Sequence, residues 1–503
     1  MDGNLRLIII FSLACLGFIF PSIAQITQPQ RFEKEIKIDD EYPTIFSLEE
    51  KGIMFFRESA ENGARGMRKW EFTAIDSTLK SRWTKQYDID YDQVMLGYAH
   101  SGGQASFLFR QGLSDKDDYF IINIDISSGD TVHHIVKKLI PMELTHFEVV
   151  GNTALIGGII NNRPTLVHYD FRTGKSKVIP GIYRGESKIL ELKINQENKT
   201  FNVLITEKTL DRLLTITLMS FDENGVLLQN TKLDAEGDKS LIFAASTPFK
   251  EDEIMVTGTY SHKRSSYSRG VFIARIDPLG NQEIDYYTYA DLENFFKYMP
   301  AKREARVKKR IERKRIQGKK IKLTYRLLVR DVIEKEGNYV MVGEAFYPRY
   351  NSGSFYNPFG LSSESEFVGY KFTHAIVIGF NSEGEILWDN SFEINDVETY
   401  SLDDEVVNIG FENGKVILLY LYDGEIRSKI IDGDEVVDGK ITEDIKLKNE
   451  NEILKTTRDE YGGLEKWYDS YFYAYGIQKI KNKGGDPSAL EKEVFFINKI
   501  GFK

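Results

Sequence analysis

The stretches Glu253–Tyr260 (EIMVTGTY) and Gly270–Tyr289 (GVFIARIDPLGNQEIDYYTY) decide the fold. One apolar strand is followed by a loop and a second apolar strand. The second closes on Asp277, a turn containing Gly280 follows, and a strand of mixed polar and aromatic residues comes next. The pattern recurs in Asn338–Tyr347 (NYVMVGEAFY) and His374–Ile394 (HAIVIGFNSEGEILWDNSFEI), with Asn381 in place of the acid. Uninterrupted apolar strands need cover on both faces, and a unit made only of such strands cannot cover itself, so copies must stack. A strand-only repeat of this length predicts a β-propeller with one copy per blade.

Equivalent turn residues stand at Asp76, Asp125, Asp170, Asp222, Asp277, Asn381, Asp432 and Asn498, spaced by 49, 45, 52, 55, 104, 51 and 66 residues. They predict an all-β chain: a single propeller of about eight four-stranded blades, with seven as the alternative because the last two copies are irregular. Inside the long interval, Asp291–Lys322 reads as helical and charged and Asn351–Tyr370 as loop. That interval is therefore one blade with two insertions, a basic helical one at 289–325 and an aromatic/Ser/Asn loop at 347–371. After the strand Glu493–Ile500 no outer strand follows. Near the other end, Arg31–Ile38 (RFEKEIKI) resembles the outer strands Arg82–Ile89 and Leu387–Ile394. It is predicted to complete the last blade and close the ring, because a linear array would leave sticky edges.

Arg6 precedes the apolar run Leu7–Phe20, and Ser22-Ile23-Ala24 supplies a small-x-small cleavage site. Residues 1–24 read as an export signal, too short in its apolar part for a stable span, and 25–503 as the propeller domain. The single cysteine, Cys15, lies inside that signal with Ser12 where a lipoprotein would carry Leu, which argues against a lipid anchor. Without further cysteines the propeller relies on apolar burial, not disulfides, in an oxidising compartment. A net charge of −10 argues against nucleic-acid partners. The leader, the blade pattern and segments such as Tyr325–Val329 (YRLLV) and Gly343–Tyr347 (GEAFY) resemble a broad group of exported propeller-like proteins of Bacteroidota. That resemblance implies a cell-envelope address, periplasmic or associated with the outer membrane, and carries no catalytic residue across.

Charge is concentrated. Lys302–Lys322 holds twelve Lys or Arg and two Glu, a local +10 that leaves −20 for the rest of the chain. Val307 and Ile311, four apart, would rest one helical face on the propeller. Arg303, Arg306, Lys309, Arg310, Arg313 and Lys314 would then face outward, toward an acidic protein surface or an anionic envelope component. The competing reading is a solvated helix held by the propeller's own acids near Glu398–Glu405. In the second insertion Tyr347, Tyr350, Phe355 and Tyr356 alternate with Ser, Asn and Gly, the composition of adaptable contact loops. Ser261–Arg269, with Arg264 and Tyr267, forms a third polar loop. If strands A to D run outward from the axis, D-to-A links and B-to-C loops share one face, so all three segments are predicted to converge on one sector.

Catalytic signatures are missing from the sequence. Asp88, Asp90 and Asp92 alternate as in a calcium loop, but Gln93 and Ala99 occupy the positions of its required Gly and Glu. His133 and His134 are adjacent and so point to opposite faces of a strand. No nucleophile elbow, phosphate-binding loop or dinucleotide fingerprint occurs, and no cofactor is expected. The chain is read as a non-enzymatic interaction platform. The alternatives are an accessory or plug-type subunit of the type 9 outer-membrane secretion translocon, a glycan-binding module, or a propeller glycosidase. Paired carboxyls of raised pKa in the axial channel would favour the enzyme, and an exposed basic and aromatic sector off the axis would favour docking.

Overall fold

The acid that ends a third strand acts through its own side chain. In the computed structural model the Asp277 carboxylate accepts the backbone N–H groups of Leu279 and Asn281 at 2.9 and 2.8 Å. Asp76, Asp125, Asp170, Asp222 and Asn381 each bind backbone N–H groups of their own turns in the same way. Such turns favour Asp and Asn because a short side-chain acceptor can reach its own backbone. Gly225, Gly280 and Gly384 follow at φ +70, +83 and +81, where a Cβ would be strained.

The structure describes residues 26–502 apart from 38, 39, 65, 113, 115, 138, 139, 184, 264, 358, 359 and 484–490, and apart from the side chains of 62, 352–365, 459 and 460. The segment 1–24 read as an export signal lies outside the described residues. Eight antiparallel sheets of four strands follow one another, and blade 6 gains a short fifth strand, Glu398–Thr399. Blade 5 shows the plan: strand A is Lys239–Ser246, B is Ile254–His262, C is Gly270–Ile276 and D is Gln282–Thr288. Strands B and C are buried almost throughout, since neighbouring blades cover both their faces, whereas D is only partly covered. Each core cluster accordingly bridges two blades. Between blades 1 and 2, for example, Phe107 lies 5.1 Å from Phe56 and 4.8 Å from Phe72, ring centre to ring centre. Phe or Tyr rings at these separations pack edge to face and add to the burial energy.

Ring closure is as the sequence predicts, with a shifted frame. Ile26–Glu35 pairs antiparallel with Lys492–Phe502 as the outer strand of blade 8, from Ile26 opposite Phe502 to Glu35 opposite Val494. Ile38, assigned to this strand from the sequence, lies outside the described residues. Asn498 does not end its strand: it sits inside it, opposite Arg31. It differs from the other turn residues because its amide serves the closure. Asn498 Oδ1 accepts from Arg31 at 3.0 Å, while the same guanidinium donates to Lys446 O, to Gln478 Oε1 and to Glu33, at 2.9, 2.9 and 2.7 Å. The guanidinium also lies 4.5 Å from the Phe496 ring centre. Blade 8 is fastened to blade 1 as well, by Trp467 Nε1 to Gly52 O at 3.0 Å and Lys499 Nζ to Ser77 O at 3.2 Å.

Arg31→Ala would strand Glu33, Asn498 and Gln478 in a nearly solvent-free seam, and losing one partner of a buried ion pair costs about 3–5 kcal/mol. Urea unfolding should register a loss of that size. A loss comparable to that of an exposed substitution would show that closure does not depend on this residue.

Candidate interaction surface on blades 5 and 6

The basic insertion has a buried foot. After strand D of blade 5 ends at Thr288, Tyr289, Leu292, Phe295 and Phe296 sink into the core between blades 5 and 6. The backbone N–H groups of Glu293 and Asn294 donate to the two oxygens of Asp389 at 2.8 and 2.9 Å. Burial pushes the Asp389 carboxyl up to about 6 despite those two donors. Tyr298 stacks on His374 with ring centres 3.6 Å apart and an interplanar angle of 3°. His374 is fully enclosed, and burial pushes its imidazole down to about 3.

From this foot rises helix α1, Ala301–Ile316, shorter than the helical reading of 291–322. It ends where Gly318 adopts φ +61. There the N–H of Gly318 bonds Arg315 O and that of Lys319 bonds Lys314 O, the paired bonds of a Schellman cap. Arg313, Lys314 and Arg315 occupy the last turn, where cations oppose the negative end of the helix dipole. Ile311 is buried and Val307 partly buried against the core, as their spacing predicts. The outward cations are less compensated than a helix held by acids near Glu398–Glu405 would be. The ion pairs of α1 are Lys308 to Glu304 at 2.8 Å and Arg315 to Asp291 at 3.7 Å, both within the insertion. Among the described residues Arg303, Arg306, Lys309, Arg310, Arg313 and Lys314 form no ion pair, and the Glu398–Glu405 link does not reach them. Between α1 and the returning segment Ile321–Tyr325 lies a groove of about 640 Å³ bordered by Arg303, Arg306, Arg310 and Lys314.

The aromatic segment is not a loop. Strands B and C of blade 6, Asn338–Asn357 and Gly360–Phe380, stay paired far beyond the blade, from Tyr347 opposite Lys371 out to Asn357 opposite Gly360. Backbone pairing within the hairpin satisfies the polar groups that a solvated loop would give to water. Its base is held by Glu398–Thr399, which pairs with Lys371 and Tyr370, and by the ion pair of Arg349 with Glu398. Tyr347 and Tyr350 are 45% and 57% exposed, and Phe367, missed in the sequence, packs against Tyr350 at 5.7 Å and is itself exposed. The side chains of Phe355 and Tyr356 lie outside the described residues.

Convergence of the three segments is direct. Ser268 of the blade 5 loop forms a bridge with Tyr325 of the insertion, the Arg326 guanidinium lies 4.7 Å from the exposed Tyr267 ring, and Arg326 O accepts the Phe346 N–H at 2.9 Å. Arg264 of the same loop lies outside the described residues.

The axis holds what the sequence did not show. Lys193 of blade 4 pairs with Asp331 of blade 6, skipping blade 5, which is possible only across the channel. Arg330 binds Glu344 and the carbonyls of Leu402 and Asp404. Glu465 accepts from Tyr473 and Tyr475. Glu405 still touches channel water but is ringed by protein; that enclosure, reinforced by Glu344, pushes its carboxyl up to about 8. Burial raises Glu148 of blade 3 to about 7. Among the described residues no three His, Cys, Asp or Glu side chains are grouped to hold a metal ion, and no helix is long and apolar enough to cross a membrane.

No family model matches the chain, and no curated protein does. Solved structures similar to it include the propeller domain of the trilobed protease of Pyrococcus furiosus, at 10% identity over 80% of this chain and 93% of that one, with a TM-score of 0.34. A polysaccharide lyase is similar at 8% identity over 80% and 89%, with a TM-score of 0.39. The tricorn protease is similar at 12% identity over 83% of this chain and 36% of that one, with a TM-score of 0.38. At these levels none of the three bears on chemistry.

Two outcomes test this geometry. Phe295→Ala, in the foot, should cost about 3–5 kcal/mol, the usual range for a buried Phe; replacing Arg306 and Arg310 with Gln should shift stability by less than about 0.5 kcal/mol. Equal effects would mean that the outward face is structural too. For Glu405, the folded carboxyl holds its proton up to about 8 and the ordinary value is 4.5. Between these limits the folded chain binds the extra proton, so rising pH removes stability. The Tm gain of Glu405→Gln should therefore be absent below pH 4.5, grow up to about pH 8 and level off. A gain independent of pH would refute the shift.

Proposed function

We propose that this protein is an exported, non-enzymatic propeller that acts as an interaction platform at the cell envelope, with α1 and the blade 6 hairpin as its docking elements. One observation carries the reading: among the described residues Arg303, Arg306, Lys309, Arg310, Arg313 and Lys314 form no ion pair, on a helix whose foot is locked into the core. Unpaired surface charge on a rigid support is suited to steering and orienting an acidic partner. The exposed tyrosines beside it offer contact area at low entropic cost. A narrower form, an accessory or plug of the type 9 outer-membrane translocon, is supported by the leader-like N-terminal sequence and by size.

The test is capture from solubilised envelopes with the tagged full chain. Changing Arg306, Arg310, Arg313 and Lys314 to Glu should abolish capture with the fold intact, and high salt should weaken it, because exposed charges lose reach as the Debye length shrinks. Capture that survives both would exclude α1 as the contact.

A second reading has its own observation. Glu405 and Glu148 carry raised carboxyls at the axis, as a hydrolase with acids in the channel would require. Hydrolysis of envelope polysaccharides that disappears in Glu405→Gln would favour that reading over the platform.

A further inference from the structure

The link 394–407 between blades 6 and 7, the Tyr422–Gly424 turn of blade 7 and the inner strand of blade 8 enclose a groove of about 920 Å³. Asp403, Asp404, Glu405 and Asp423 line it, all exposed and, among the described residues, in no ion pair. Three further lining acids are engaged within the chain, Asp396 by Lys371, Glu398 by Arg349 and Glu465 by the Tyr473 and Tyr475 hydroxyls, and Lys466 stands on the rim. The groove is built from a D-to-A link and a B-to-C turn, so it opens on the same face as α1.

The placement of these two patches has a geometric consequence. Helix α1 rises between blades 5 and 6, and the acidic groove lies on blades 7 and 8. Let a two-fold axis lie in the plane of the face and pass midway between them, through blade 6. That single rotation turns each helix toward the other copy's groove and each groove toward the other copy's helix, with the two blade 6 hairpins side by side at the axis. An assembly built on that rotation would make both contacts at once and close at two copies.

We infer that two copies of this chain associate through this face, α1 of each seated in the acidic groove of the other. The inference rests on reading α1 as a docking element and specifies the acidic surface it recognises. Charge supports it: among the described residues the carboxylates of Asp403, Asp404 and Asp423 form no ion pair, and they face a helix on which six cations form none. The same face also presents exposed Tyr91, Tyr183, Leu210, Tyr267, Tyr350 and Tyr400, from links and turns around most of the ring, in keeping with the enrichment of Tyr at interfaces. At about 0.15 M salt the Debye length of about 8 Å damps the mutual repulsion of two chains of charge −10, while groups in contact keep most of their attraction.

Sedimentation velocity of the purified full chain tests this. The wild type should dimerise at about 0.15 M salt and dissociate at least about tenfold more readily at 1 M, where the Debye length falls to about 3 Å. A helix variant with its six cations reversed (R303E/R306E/K309E/R310E/R313E/K314E), which makes α1 acidic, and a groove variant (D403K/D404K/D423K) should each be monomeric alone, because each then carries like charges on both patches. Mixed one to one, they should form a heterodimer, since each helix again meets an opposite groove. Far-UV circular dichroism and melting curves check that both fold. If either does not, the neutralising sets R306Q/R310Q/R313Q and D403N/D404N/D423N take their place, and each should weaken the wild-type dimer; a dimer that neither set weakens overturns the inference. A wild type that is monomeric at every concentration reached, or a mixture that fails to pair, overturns the inference. Envelope capture lost on helix reversal while the wild type stays monomeric would overturn self-association alone. A helix reversal that alters neither capture nor sedimentation would overturn the docking reading as well.

Discussion

A ring of sheets is free of open edges only if its first and last strands meet, and here Ile26–Glu35 must find Lys492–Phe502. Everything else in the fold presupposes that contact. Each blade's B and C strands are apolar because neighbours cover them on both sides, and blade 8 has neighbours on both sides only once the circle is complete. The seam is accordingly stronger than an ordinary strand pair. Arg31 distributes its donors over groups from three strands and a link, and Trp467 and Lys499 reach across to blade 1. Loss of the outer strand would expose the Asn498–Gln478 layer and the adjoining cores together, so stability is cooperative around the whole circumference.

The circle also dictates where chemistry can sit. Inner strands face an axis that several blades share, and charged groups there find partners far away in sequence, as Lys193 and Asp331 do. The D-to-A links and B-to-C turns lie on one face and carry the long insertions. The other face carries the short Asp-capped turns, which have no spare length for recognition. The insertions and the acidic groove are thus segregated by topology alone: α1, the hairpin and the groove share one side. Blade 6 concentrates them because both of its insertions leave on that side, and Glu398–Thr399 ties the hairpin to the next link.

Blade count, closure and the convergence of the insertions were legible in the residues, because alternating burial and Asp or Asn turns write a period into the chain. The hairpin was not. A two-stranded arm that extends beyond its blade needs no apolar alternation, so Ser, Asn, Gly and Tyr there read as loop. The foot of α1 was overlooked for a different reason: Tyr289, Phe295 and Phe296 adjoin a run so charged that their apolar character was assigned to it. Asn498 was misplaced because Arg31, four hundred and sixty-seven residues away, gives its amide a role that no local pattern reveals. The axial carboxyls share that difficulty. Glu405 becomes unusual only when Glu344, Arg330 and Glu465 surround it, and nothing in the local sequence brings them together.

Helix α1 is anchored at both ends, by the aromatic foot before it and the Ser268–Tyr325 bridge behind it. A recognition segment that orders only on contact gives up backbone freedom at that moment, at roughly 1–2 kcal/mol per residue. Sixteen helical residues already fixed on a rigid wedge owe almost none of that. Pre-organisation of this kind leaves a larger share of the charge attraction to appear as affinity. It also ties the helix to the angular position of blades 5 and 6, so that anything bound to α1 would be held at a set orientation to the propeller axis.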